Sequence, residues 1–129
     1  MSAADRAAVE DWVAAYRRAW ESDDPGDIAA LFTEDATYSP SPFSESWCGR
    51  DAIVDAWIKR GDSIALPAFE HEVIAADGAV GVIKGLTTYH ATDKAPETVY
   101  GNLWIVSLAP GGRASSFAEW WMQRPQKKA

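Results

Sequence analysis

The chain of 129 residues holds one cysteine, two histidines and two methionines, and its 19 acidic side chains outnumber its 12 basic ones, a formal charge of −7. Each scarcity excludes something. A lone cysteine, Cys48, closes no internal disulfide, which fits a reducing cytoplasm. Basic residues cluster only at Arg17-Arg18 and Lys127-Lys128, too few and too far apart to track nucleic-acid phosphates or an anionic membrane. No stretch approaches the ~20 apolar residues of a spanning helix, and Met1-Ser2-Ala3-Ala4-Asp5 opens no signal peptide. Glycine-rich phosphate loops and nucleophile elbows are missing. His71 and His90 lack metal-like spacing to a second ligand, so neither a metal nor another cofactor is expected.

What is present is a globular composition, 47 % hydrophobic and 24 % charged. Domains commonly run about 100–150 residues, so residues 1–129 read as one domain with a real core. Seven tryptophans are the outlier in composition. Something in this molecule uses large, flat apolar surfaces.

From Ala4 to Trp20, residues Ala8, Val9, Trp12, Val13, Tyr16, Ala19 and Trp20 form the stripe of an amphipathic helix. Asp23-Asp24-Pro25-Gly26 stops it and caps a short helix running through Ile28 to Phe32. Ala36-Thr37-Tyr38 reads as a brief strand, cut off by Ser39-Pro40-Ser41-Pro42. Residues 39–48 form a loop containing Phe43 and Trp47, and Gly49–Arg60 a third helix. After Gly61 the period changes. Phe69–Ala76, Val80–His90, Thr98–Leu108 and Ala114–Arg124 read as consecutive antiparallel strands joined by hairpins. Helices and antiparallel strands kept apart along the chain mean an α+β fold, in the order α-α-β-α-β-β-β-β. A long sheet with helices on one face only curls around them and encloses a cavity.

That order, together with Asp27–Tyr38 (DIAALFTEDATY), Gly49-Arg50-Asp51-Ala52-Ile53 and the closing Glu119–Pro125 (EWWMQRP), resembles the nuclear-transport-factor-2-like superfamily. The resemblance covers essentially the whole chain and is nearest the SnoaL-like and ketosteroid-isomerase-like branch of cone-shaped α+β barrels. It implies a curved sheet around three N-terminal helices, a deep apolar cavity, often a homodimer, and a reaction that usually needs no metal. The reaction itself is not specified, because this fold hosts many functions.

Isomerases of this branch set a carboxylate base against an oxyanion hole of Tyr and a protonated Asp. Laid on this sequence, the tyrosine falls on Tyr16, a donor to a ligand oxygen or else a core residue with a satisfied hydroxyl. The base falls on Pro40, which moves no proton, and this counts against steroid-type isomerisation. The protonated acid falls on or beside Asn102, whose amide donates in the same way and shares a strand face with Tyr100 and Trp104. A structural hydrogen bond to Tyr16 or to backbone is the alternative. On the last strand Phe117, Glu119 and Trp121 share one face, and Ala118, Trp120 and Met122 the other. If the first set lines the cavity, Glu119 is a carboxylate among aromatics, suited to acid–base work. A rim position or an ion pair with Lys84 or Arg124 is equally open. His90, near a hairpin end, is a rim residue or a second proton carrier. Cys48, beside Arg50 and a predicted helix start, is a small, partly buried residue or a minor nucleophile candidate. Gly81 and Gly85 leave room for a ligand or mark bends, and the strand phase around Lys84 is ambiguous.

The tryptophans divide by face. Trp12, Trp20 and Trp57 sit on helix faces turned to the sheet. Trp47 and Phe43 belong to the loop at the expected cavity mouth, and Trp104 and Trp121 to its wall. The expected ligand-contacting set is Trp12, Phe43, Trp47, Trp57, Tyr100, Trp104, Phe117 and Trp121, with Tyr16, Asn102, Glu119 and His90 as the chemical groups. Trp120 faces outward, where a large aromatic is best explained by a homodimer interface. Three functions follow: an isomerase, lyase or hydrolase acting on a hydrophobic small molecule, a binding module using the same cavity, or a dimerisation domain.

Overall fold

The structure, a computed structural model, describes residues 3–60 and 67–126. Met1, Ser2, Gly61, Lys127 and Lys128, which entered the sequence reading, lie outside them. Its elements are α1 (Ala3–Ser22), α2 (Pro25–Ala29), β1 (Phe32–Ser39), β2 (Trp47–Cys48), α3 (Arg50–Arg60), β3 (Ala68–Asp77), β4 (Val80–Tyr89), β5 (Thr98–Leu108) and β6 (Ala114–Gln123).

Helix α1 ends where Asp23 turns left-handed, at φ 51°, a conformation that a short polar side chain tolerates. Asp24 then caps α2, its carboxylate accepting from the backbone N–H groups of Gly26 and Asp27 at 2.8 and 3.1 Å. The second helix is shorter than its sequence suggests. Phe32 has left it for β1, where it stands opposite Ala114, and the Trp12 indole N–H ties the connection down by donating to the Leu31 carbonyl at 3.0 Å.

The six strands form one curved, unclosed sheet in the order β2-β1-β6-β5-β4-β3. From β3 to β6 the pairing is antiparallel, as the hairpin signals between them require. The sheet as a whole is mixed, however, because β1 lies parallel to β6. Hairpin chemistry reports only strands adjacent in sequence. Parallel pairing of the first long strand with the last is a long-range contact that no local turn encodes. The Pro-rich loop also holds the two-residue β2, which adds to β1 at Thr37 and Tyr38.

Helices pack on the inner sheet face, and there the strand phase resolves. Phe69, Val73, Ile83, Trp104, Val106 and Phe117 are buried, whereas Lys84 and Leu86 are exposed on the outer face. The two glycines of β4 make room for protein. A Cβ at Gly81 would lie 2.6 Å from Val9 of α1, and one at Gly85 would lie 2.7 Å from the Phe69 ring. That ring, so admitted, stacks on Trp104 with 5.0 Å between centroids.

Candidate functional site

The deep end of the cone is filled by aromatic side chains. Tyr16 sits among them, with ring centroids 4.6 Å from Trp104, 4.9 Å from Trp57, 5.5 Å from Trp12 and 5.6 Å from Phe117. Its hydroxyl shares a 2.9 Å hydrogen bond with that of Tyr38. Trp12, Trp57 and Phe117 are buried in this packing and line no described pocket. Trp47 stacks on Tyr38 at 4.6 Å. Phe43, 98 % exposed, stands clear of the molecule in the loop after Pro40 and Pro42.

What the aromatics leave open is a pocket of about 160 Å³ between the C-terminal half of α1 and the ends of β4, β5 and β6. Tyr16, Trp20 and Trp104 form its inner part, and Tyr89, Tyr100 and Trp121 the remaining aromatic wall. Three polar residues complete it: Thr87, Asn102 and Glu119. Strand alternation brings them together, since Thr87 is opposite Tyr100, and Asn102 and Trp104 are opposite Trp121 and Glu119.

These polar groups form one connected network. The Thr87 hydroxyl donates to Asn102 Oδ1 at 2.7 Å, and Asn102 Nδ2 donates to Glu119 Oε2 at 2.6 Å. The Trp104 indole N–H donates to the same carboxylate oxygen at 3.1 Å. Thr87 is 3 % exposed, so its hydroxyl needs a partner inside the protein. Donors aimed at one oxygen favour the ionised carboxylate, while the aromatic surround raises the cost of that charge. The arrangement thus places a localised, hydrogen-bonded carboxyl group on the wall of a largely apolar pocket.

Tyr16, Asn102, Glu119, Tyr100, Trp104 and Trp121, all singled out in the sequence, share this pocket. Asn102 makes its hydrogen bonds to side chains of neighbouring strands, while Tyr16 pairs with Tyr38. Glu119 is served by Asn102 and Trp104. Arg124 pairs instead with Glu97, and Lys84 points to the opposite sheet face. His90 is exposed just beyond β4 and does not line the pocket. Cys48 is exposed rather than partly buried.

Sequence reasoning missed Thr87, Tyr89 and Trp20 as pocket residues. Thr87 and Tyr89 continue the inward phase of Ile83 and Gly85, a signal obscured because Lys84 and Leu86 gave the other phase no consistent character. Trp20, on a helix face turned to the sheet, reaches the pocket as well as the core. Its indole N–H is buried without a hydrogen-bond partner among the described residues. Among the described residues no three His, Cys, Asp or Glu side chains converge as a metal-ligand set.

A wider concavity of about 790 Å³ lies on the outer sheet face, bordered by Glu70, Glu72, Lys84, Leu86, Trp120 and Met122. It is larger and more open, an outward dish in which Leu86, Trp120 and Met122 stand beside Glu70, Glu72 and Lys84. The inner pocket brings Thr87, Asn102 and Glu119 into one hydrogen-bonded network.

The SnoaL-like domain family matches residues 1–110. The chain belongs to this family. Among solved structures, this SnoaL-like protein is similar to SalBIII, described as an epoxide hydrolase/cyclase-like enzyme with a role in pyran ring formation in the polyether salinomycin. The two share 20 % identity at a TM-score of 0.71, over 88 % of this chain and 89 % of that one. An NTF-2-like protein of unknown function from Burkholderia xenovorans aligns at 13 % identity and a TM-score of 0.69, covering 96 % of this chain and 90 % of its own. An uncharacterised protein with a cystatin-like fold from Silicibacter pomeroyi aligns at 20 % and 0.62, covering 88 % and 74 %. At these identities the likeness establishes the cone fold. No curated protein matches the chain.

Proposed function

We propose that this chain acts as one SnoaL-like domain over residues 1–129, in the cytoplasm, holding a ring-sized portion of a hydrophobic small molecule in the inner pocket and moving a proton with Glu119. The observation that carries this reading is the carboxyl group of Glu119, fixed by Asn102 and Trp104 on the wall of an aromatic pocket. Apolar cavities of about 150 Å³ take up benzene, so about 160 Å³ suits one six-membered ring. Trp121 is 50 % exposed at this pocket, which leaves room for the rest of a larger ligand to extend into solvent. In this scheme Glu119 is the acid or base, Asn102 and Trp104 orient it, and Thr87 holds Asn102. Tyr16, Trp20, Tyr89, Tyr100 and Trp121 supply the walls. His90 has no place in it. The acid–base reading agrees with the description of SalBIII as epoxide hydrolase/cyclase-like.

A generic carbon acid tests this. In 5-nitrobenzisoxazole a base removes the ring C–H proton, its electron pair forms the nitrile, and the N–O bond breaks to release a coloured phenolate. The protein should accelerate this opening over free acetate, and Glu119→Gln should lose roughly tenfold or more of the rate, as removal of a general base does. Equal rates for parent and variant would overturn the assignment. Binding without acceleration would favour the second reading, a binding module. That reading draws on Glu119 being the lone carboxyl group, with no histidine beside it, among the described residues that line the pocket.

We also propose a homodimer through the outer sheet face. Leu86, Ile105, Trp120 and Met122 are exposed there, the last two at 53 % and 76 %. Contiguous apolar side chains of this size on a sheet face mark an association surface.

A further inference from the structure

The walls of the inner pocket say more about its ligand than that it is apolar. Of the nine described residues lining the pocket six are aromatic: Tyr16, Trp20, Tyr89, Tyr100, Trp104 and Trp121. Three of these turn a corner. Tyr89 meets Tyr100 at 87° with 5.8 Å between centroids, and Tyr100 meets Trp121 at 79° with 5.7 Å. Two parallel rings would make a slot for a flat molecule. Rings set at right angles instead make a corner, where a compact, rounded group can touch more than one ring.

Aromatic faces carry the negative lobe of the ring quadrupole, so a cation placed against the face of a wall ring is attracted to it. Glu119 adds a carboxyl group to the same wall, and its oxygen Oε2 is held by the neutral donors Asn102 and Trp104. No Lys, Arg or His is among the described residues lining the pocket. The protein as a whole carries −7.

We propose that the pocket accepts an organic cation, specifically a tertiary or quaternary alkylammonium group. The walls select among cations as well as for charge. A primary ammonium or a small metal ion must give up strong hydration, which indole and phenol rings do not replace. An alkylated ammonium is weakly hydrated, and its methyl groups pack on the rings while its charge spreads towards them. A volume of about 160 Å³ holds one such group. The inference rests on this pocket being the ligand site, and it names the chemistry of what enters, independently of any proton transfer by Glu119.

Choline and its neutral isostere 3,3-dimethylbutan-1-ol, nearly identical in shape, separate the charge from the size. Titration of the intact protein, followed by the indole N–H signals of Trp104 and Trp121, should show choline binding at least about tenfold more tightly than the alcohol. Glu119→Gln should remove most of that preference, and an unchanged thermal unfolding temperature reports an intact fold. Trp121→Leu should weaken choline more than the alcohol. Equal affinity for the two probes would overturn the inference, as would binding of neither at tens of millimolar, or choline binding that shifts no pocket signal. The benzisoxazole assay decides separately whether Glu119 moves protons, so loss of the cation preference leaves that result standing.

Discussion

Asn102 Nδ2 lies 2.6 Å from Glu119 Oε2, a diagonal contact between neighbouring strands in which Asn102 stands opposite Trp121 and Glu119 opposite Trp104. Diagonal positions on one face of an antiparallel pair are about 7–8 Å apart, within reach of side chains of this length. The amide has a single sensible orientation. Turned over, its Oδ1 would face the carboxylate oxygen and two acceptors would oppose each other. As it stands, Oδ1 accepts from Thr87 and Nδ2 donates to Glu119. The network is matched to an ionised carboxylate.

Replacing the donor by a like charge should therefore convert the pair into a proton trap. In Asn102→Asp two carboxyl groups share one site, and the pair's upper apparent pKa should rise by about one unit or more above an ordinary carboxylate. The folded state then binds more protons than the unfolded one, so stability falls as pH rises through that window. Thermal unfolding at pH 5 and pH 8 checks this. The variant should lose more, relative to the parent, at pH 8, and an equal loss at both would disprove it.

Thr87 is buried, and its hydroxyl makes one hydrogen bond, to Asn102. Thr87→Val keeps the shape and leaves Asn102 Oδ1 without that donor, which should cost about 1–2 kcal/mol. Thr87→Ser retains the donor and should cost clearly less. Urea unfolding of both variants decides the matter, and equal costs would mean that packing rather than the hydrogen bond holds this position.

Gly81 is required by the close approach of α1. A methyl group there would sit 2.6 Å from Val9, so Gly81→Ala should destabilise by about 1–3 kcal/mol through overpacking. Adding Val9→Ala removes the opposing methyl groups, and the double variant should recover part of the loss. A Gly81→Ala protein as stable as the parent, in the same denaturant titration, would contradict the packing seen between α1 and β4.

Trp120 lies in the middle of the exposed apolar face proposed as the dimer interface. Trp120→Glu should yield a monomer in light scattering at concentrations where the parent is a dimer, while the monomer keeps its fold. A parent protein that is already monomeric at micromolar concentration would refute the interface.

Much of this molecule is legible in one dimension. The stripe from Val9 to Trp20, the four long β-strands and the hairpin punctuation all emerge from periodicity and turn chemistry, because each depends on neighbours a few residues away. The two faces of β6 follow from alternation alone. Phe117, Glu119 and Trp121 turn inward, and Trp120 turns outward. Glu119 could be named from that alternation, whereas Tyr16 and Asn102 were named by the resemblance to the isomerase pattern.

What alternation leaves open is which residues meet. Below the turn Leu108 pairs with Ala114, whereas from Ser107 onwards the register shifts by one. Without that irregularity Asn102 would stand opposite Trp120, and inward residues would oppose outward ones. The shift brings Asn102 to Glu119, and no local pattern announces it. Three-dimensional packing likewise decides that β1 lies parallel to β6, that Phe69 occupies the space over Gly85, and that Trp12, Trp57 and Phe117 fill the cone instead of lining its opening. Amino-acid order alone determined the elements and their faces, since those are set by local sterics and hydrophobic period. The pocket, its aromatic corner and the partners of its carboxyl group were decided only by the tertiary structure, because register and ring packing depend on contacts between residues far apart in the chain.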